Sequence, residues 1–250
     1  LERVGHSVAF FVELCYKSLT PPWYLNAWAS STVTLVQRCT PPMLIVLLTM
    51  SAVICVQMLN LATMVRADPL VGGLIGTFTF REIGPVLAAV LIGAQGGSFV
   101  TTELGAMRVK EEFDALDLMA VDPVRYAVVP RFMGFIIATP ILSMFAGVGG
   151  LLGASLSVRF LSDISPGTFW GSVYDFLQIR DILNSILKSL VFSGIIAHMA
   201  CYNGYFVHGG AVQVGQAANR AVVYGLVFVM MANYIVTSAI YGGAAGLSRF

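Results

Sequence analysis

Charge is scarce in this sequence. Of its 250 residues only 11% are charged, and just three of them (Lys17, Lys110 and Lys188) are lysines. A soluble domain carries roughly 25% charged residues, because its surface must face water. Here 57% of residues are hydrophobic and mean hydropathy is +0.82, so a water-exposed surface could not be covered. With a net charge of +1, no basic patch is available for nucleic acid. Cys15, Cys39, Cys55 and Cys201 lack CxxC spacing and read as small hydrophobes, neither disulfide framework nor metal site. His6, His198 and His208 form no set with metal-ligand spacing. Tyr16, Val109 and Leu187 precede the three lysines, so no GxxxxGK[ST] phosphate loop exists and the chain cannot hydrolyse ATP by that route. Nor is there a nucleophile pair: Ser193 and His198, five residues apart on a helix, point about 140° away from each other.

Long uncharged runs take the place of that charge. Met43–Val65, Ile83–Thr102, Phe132–Val158, Ser189–Asn219 and Ala221–Ser248 contain no charged residue. About 20 apolar residues cross ~30 Å of hydrocarbon at 1.5 Å per residue. The expected fold is an all-α integral membrane protein forming one domain over 1–250. Transmembrane helices are expected over 42–64, 75–103, 131–158, 184–205 and 221–243, with Pro41-Pro42 opening the first. Gly93 and Gly97, Gly149 and Gly153, and Gly242 and Gly246 are small-xxx-small pairs that let helices pack closely, in a tight bundle or at a dimer seam.

Residues 1–30 are expected to form an interfacial segment. Leu1, Val4, Val8, Phe11 and Cys15 recur at helical spacing, but Glu13 and Lys17 make the segment too polar to span and unlike a signal peptide. Trp23, Tyr24 and Trp28 follow, aromatics suited to the headgroup level. Five spans put the two ends on opposite sides. With the N-terminus cytoplasmic, Arg3, Lys17, Arg38, Arg108, Lys110, Arg125, Arg131 and Arg220 lie inside. Arg66, Arg159, Arg180, Lys188 and Arg249 lie outside, and the excess of basic residues favours this orientation.

Two places could carry function. Arg81 and Glu82 interrupt a run otherwise free of charge from Pro69 to Thr102. Ionic groups at that depth cost about 2.5–3.5 kcal/mol each on insertion scales and usually face a cavity or a partner. Together with Pro85, which bends the helix beside them, they are the candidate substrate-binding residues; the alternative is that both lie at the outer interface, where the second span starts. The second place is the charged stretch 104–122, read as one amphipathic cytoplasmic helix for a partner protein; the alternative is a solvated loop helix packed on its own bundle. Leu104, Met107, Phe113, Leu116 and Met119 form its apolar stripe. Glu103, Arg108, Lys110, Glu111, Glu112, Asp114 and Asp117 supply charge at its start and along its length.

Arg81-Glu-Ile-Gly-Pro-Val-Leu-Ala-Ala, Glu103-Leu-Gly-Ala-Met-Arg-Val, Glu112-x-Asp-Ala-Leu-x-x-Met119 and Asp122-Pro through Val-Pro-Arg131 together resemble the MlaE/YrbE permease family. Gly210-x-x-x-Val-Gly-Gln-Ala-x-x-x-Ala-Val222 resembles a second patterned segment of the same family. These pieces cover most of the chain, and their flavour is that of the YrbE permeases of actinobacterial mce operons. The resemblance implies a permease subunit of an ABC-type lipid transporter in the cytoplasmic (inner) membrane. It implies a second YrbE-type permease, giving a heterodimer, and MCE proteins on the outer side. It also implies a separate cytosolic P-loop ATPase, which would hold ATP and magnesium while this chain binds no cofactor.

In that frame Arg81, Glu82 and Pro85 would line a lipid pocket at the permease seam. Glu103, Met107, Arg108, Glu111, Glu112, Asp114, Leu116 and Met119 would belong to the coupling helix that docks on the ATPase. Many members carry Arg at the position of Gln95 and an acidic residue at that of Asn233, so this copy has lost both charges. The rival readings are a passive channel, which would want several polar side chains along a pore, and a structural anchor for an MCE assembly. An anchor would not need a charged amphipathic cytosolic helix, and an intramembrane enzyme lacks its catalytic set.

Overall fold

The computed structural model describes residues 2–21, 24–65, 68–162 and 164–242. Trp23, the turn at Arg66, residue 243 of the fifth span, Gly246 and Arg249 lie outside them. Secondary structure is helical throughout the described residues. α1 spans Glu2–Leu19 and α2 Leu25–Val65. α3 (Val71–Phe78), α4 (Gly84–Leu91) and α5 (Ser98–Val109) form one continuous run, joined by π-helical segments at Thr79–Ile83 and Ile92–Gly97. α6 covers Glu112–Leu118, and a π segment at Val124–Val128 leads into α7, Val129–Leu161. α8 (Pro166–Phe176), α9 (Ile179–Tyr205) and α10 (Ala211–Tyr241) complete the chain.

Five helical runs are long and apolar enough to cross a membrane: Leu25–Met64, Val71–Val109, Val124–Leu161, Ile179–Tyr205 and Ala211–Tyr241. Each starts earlier than the uncharged runs suggest. Hydropathy marks the part inside hydrocarbon, whereas a helix, whose backbone groups satisfy each other, can continue into the polar interface. The largest difference is in α2. It does not begin at Pro42; Pro41 and Pro42 lie inside it. Residues 25–30 therefore belong to the first spanning helix rather than to the interfacial segment. Each proline removes one backbone donor, and the helix carries on through both. α1 is amphipathic, with two faces. It buries Phe10 and Leu14, while Val8, Phe11 and Val12 stay exposed.

Two compact units make up the chain, and most long helices contribute to both. The first comprises Leu1–Cys39, Ala89–Thr139 and Val191–Ile235. Within it, Ile196 packs over the Gly93/Gly97 pair, with a Cβ at Gly93 lying 3.5 Å from its side chain. Phe10, Tyr202, Tyr205 and Phe206 gather in an aromatic cluster. Ser7 Oγ lies 2.8 Å from His198 Nε2, so His198 is a hydrogen-bonded core residue.

The second unit comprises Thr40–Ala88, Pro140–Leu190 and Val236–Phe250. α8 seals against α3 in its core, which includes Val71, Ile75, Phe169 and Val173. A Cβ at Gly72 would meet the Phe169 carbonyl oxygen, and one at Gly73 the Phe176 ring. Only glycine permits this approach, and the Gly73 N–H donates to Ser172 Oγ at 3.0 Å. At Gly153 a Cβ would come within 2.9 Å of the Leu48 carbonyl oxygen. Two of the three glycine pairs thus serve packing within the chain.

Candidate functional site

The residues Arg81 and Glu82 sit in the π-helical segment Thr79–Ile83, in the second unit. Proline explains the local geometry. Pro85 has no N–H to give to the Arg81 carbonyl four residues back. The Gly84 N–H instead reaches the Thr79 carbonyl, five residues back. π segments of this kind recur at functional sites. The freed Arg81 carbonyl accepts from Lys188 Nζ at 3.0 Å. Pro85 itself is buried.

Neither charge stands alone. Arg81 Nε donates to Asp181 Oδ1 at 2.7 Å. Lys188 Nζ donates to Glu82 Oε2 at 2.9 Å and to Thr237 Oγ1 at 2.8 Å, and that hydroxyl donates to Glu82 Oε1 at 3.1 Å. Arg81 lies over the Tyr241 ring, 5.0 Å from its centroid, and Asn184 Nδ2 donates to the Tyr241 hydroxyl at 3.4 Å. Lys188 is fully buried and the Asp181 side chain 4% exposed, against 31% for Arg81 and 25% for Glu82. The outward-facing pair is thus backed by an inward pair from α9, and α10 adds Thr237.

Sequence reading missed Asp181 and Lys188 as site residues, and it counted Lys188 with the basic residues of the outer side. A signal was present: Asp181, Ser185 and Lys188 recur at four and three residues, one face of a helix. Ser185 lies on that face too, 3.1 Å from Ser143.

The stretch 104–122 is not one helix. α5 continues the second span to Val109, so Glu103, Met107 and Arg108 belong to that span. The chain then breaks at Lys110 and Glu111, where Glu111 takes a left-handed φ of 59°. α6 follows, and Ala120, at φ 58°, ends the turn after it. A short α6 between two left-handed residues projects as a knob. Phe113 is buried and anchors it against Tyr205, their ring centroids 5.0 Å apart. The exposed tip is Leu118 (90%) and Met119 (64%), flanked by exposed Glu111, Asp114 and Asp117. Leu116 and Glu112 are half-buried, so the apolar tip is centred on Leu118, a residue outside the expected stripe.

Ion pairs hold the base of this knob. Arg131 makes a two-pronged contact with Glu103, Nε to Oε2 at 3.0 Å and Nη2 to Oε1 at 2.8 Å. Arg108 reaches Asp114 at 3.2 Å. Lys17 of α1 pairs with Asp122 at 2.6 Å and Glu13 at 2.7 Å. Arg125 Nη1 and Nη2 donate to the Pro21 carbonyl at 3.1 Å and to Thr20 Oγ1 at 2.9 Å. Gln95, in the π segment Ile92–Gly97, has a buried Oε1 with no hydrogen-bond partner among the described residues. No cluster of His, Cys, Asp and Glu able to hold a metal occurs among them either.

The chain is similar to known membrane permeases. A probable ABC transporter permease protein of Synechocystis is 38% identical over 180 residues, 71% of this chain and 67% of that protein. The intermembrane phospholipid transport system permease protein MlaE of Haemophilus influenzae is 32% identical over 177 residues, 70% and 68% of the two chains. A probable ABC transporter permease protein of Rickettsia prowazekii is 33% identical over 161 residues, and there the match spans 64% of this chain but only 62% of the relative. Residues 29–239 match the family described as Permease MlaE, and the chain belongs to that family.

Proposed function

We propose that this chain is the permease subunit of an ATP-driven, ABC-type transporter that moves hydrophobic lipids across the cell envelope with MCE proteins. The observation that carries the reading is the α6 knob, an exposed apolar tip ringed by carboxylates and anchored by Phe113. An amphipathic projection of this kind suits a groove on a partner, here a cytosolic P-loop ATPase supplying ATP and magnesium. Motion of that partner would pass through α6 to α5 and α7, which Glu103 and Arg131 tie together. Arg81 and Glu82, the exposed half of the four-charge network, would meet the lipid.

A second YrbE-type permease would complete the lipid pocket, giving a heterodimer. α10 supports this, with Tyr224, Phe228, Met231 and Tyr234 all exposed. MCE proteins would sit on the outer side of the inner membrane, with the N-terminus in the cytoplasm. Lys188 is buried and paired with Glu82, so it no longer counts with the outer basic residues, which supports the excess on the inner side.

The test is purification from native membranes in mild detergent with mass spectrometry of co-eluting proteins. A P-loop ATPase, a second permease and MCE proteins are expected in one particle. Leu118→Asp, or Asp114→Lys with Asp117→Lys, should remove the ATPase while the permease pair stays together. Full ATPase recovery with both variants would overturn the docking role of α6.

A further inference from the structure

The network around Arg81 contains two cations, Arg81 and Lys188, and two carboxylates, Glu82 and Asp181, so its charges cancel. Its hydrogen-bond donors are also nearly used up. An ammonium has three donors, and those of Lys188 go to the Arg81 carbonyl, Glu82 and Thr237. Both oxygens of Glu82 are occupied, one by Lys188 and one by Thr237. Arg81 spends Nε on Asp181. Among the donors, what remains is the pair of Arg81 Nη groups, on a partly exposed side chain that lies over the Tyr241 ring. The network therefore offers an incoming molecule hydrogen-bond donors without net positive charge.

Resting on the lipid-site reading above, we infer that this network selects lipids whose headgroup has acceptor oxygens but no net charge, and that Asp181 sets the selection by neutralising Arg81. A zwitterionic or uncharged headgroup can accept from the Nη groups and leave the carboxylates undisturbed. An anionic headgroup brings a charge that nothing on the network balances, and it faces Glu82 and Asp181 at close range in a medium of low dielectric. Asp181 is a positioning residue here. It is nearly fully buried and acts on the ligand only through Arg81. Asp181→Asn keeps the shape and leaves a guanidinium that cannot lose its proton, so the network becomes cationic.

The experiment uses the full transporter, reconstituted in an equimolar mixture of phosphatidylethanolamine and phosphatidylglycerol, re-purified, and analysed for retained lipid by mass spectrometry. Wild type should retain phosphatidylethanolamine in excess. Asp181→Asn should shift the ratio towards phosphatidylglycerol by about tenfold, and Arg81→Gln should shift it the other way. Asp175→Asn, an exposed residue of α8, changes the overall charge as Asp181→Asn does and should leave the ratio unmoved. Size-exclusion profiles establish that each variant is folded, and Arg81→Gln carries the test if Asp181→Asn is not. Retained lipid with the same ratio in wild type and the network variants would overturn the inference alone. So would a wild-type preference for phosphatidylglycerol, or a shift in Asp175→Asn as large as in Asp181→Asn. A transporter that retains no lipid would overturn the lipid-site reading, and this inference with it.

Discussion

The two compact units use the same ion-pair chemistry in opposite environments. In the first, Lys17–Asp122, Arg108–Asp114 and Arg131–Glu103 each keep at least one partner well exposed to solvent. In the second, Lys188 and Asp181 are buried behind Glu82 and Arg81. Exposed pairs gain little, because water already solvates both ions and salt screens them. Removing one partner of a buried pair leaves an uncompensated charge in a poorly solvating interior. The first set can therefore be broken at little cost, whereas the second is a fixed frame. Distance in sequence does not distinguish them, since Lys17–Asp122 and Arg81–Asp181 both join residues about a hundred positions apart.

The sharpest way to break this comparison is to unbalance the buried network. Lys188→Met should destabilise the protein by about 3–5 kcal/mol, read as a lowered unfolding temperature in detergent. Adding Glu82→Leu should recover most of that loss, because the orphaned carboxylate goes too. A single variant as stable as wild type would mean that no charge is buried there.

Packing comes next in size. A Cβ at Gly147 meets the Phe80 ring and one at Gly204 meets the Thr101 backbone. Gly147→Ala and Gly204→Ala should each cost about 1–3 kcal/mol. Phe80→Leu should relieve the first, while no side-chain change can relieve a clash with backbone in the second. Equal rescue of both by side-chain trimming would contradict these contacts.

Among the exposed pairs, Arg131→Met should cost no more than about 1 kcal/mol, because the Glu103 it leaves behind can turn to water. A loss as large as that of Lys188→Met would erase the distinction between the units.

The smallest effect is at Lys17 and Asp122. Burial opposes both charges, but the hydrogen bonds and attraction they exchange outweigh it, with Glu13 adding to Lys17 and the Val124 and Arg125 amides to Asp122. The Asp122 pKa is consequently lowered and that of Lys17 raised. The pair contributes fully above the ordinary carboxylate pKa of about 4 and below the ordinary lysine pKa of about 10. It is lost as pH falls through the lowered Asp122 value or rises through the raised Lys17 value. Lys17→Ala should thus cost about 0.2–1 kcal/mol at neutral pH. Its unfolding temperature should converge with that of wild type in strong acid, and a gap that persists there would contradict the pairing.

Much of this was legible in the residues themselves. Uncharged runs long enough to cross hydrocarbon identify the spans, because burying ionic groups in lipid is costly at any point along a helix. The same cost marked Arg81 and Glu82 as residues in need of partners. Composition and motif also excluded phosphate-loop chemistry and a disulfide framework.

Tertiary structure decided the rest. Asp181 and Lys188 come from a helix a hundred residues downstream, and pairing at that distance leaves no mark on local periodicity. Helix continuation through Pro41 and Pro42, the break at Glu111 and the exposure of Leu118 rather than Leu116 depend on what packs beside each backbone. Sequence determines which segments must leave water, because transfer free energy is a property of each residue. Which charges then meet is decided by the packed helices, because the attraction between two ions depends on their separation and on the medium around them.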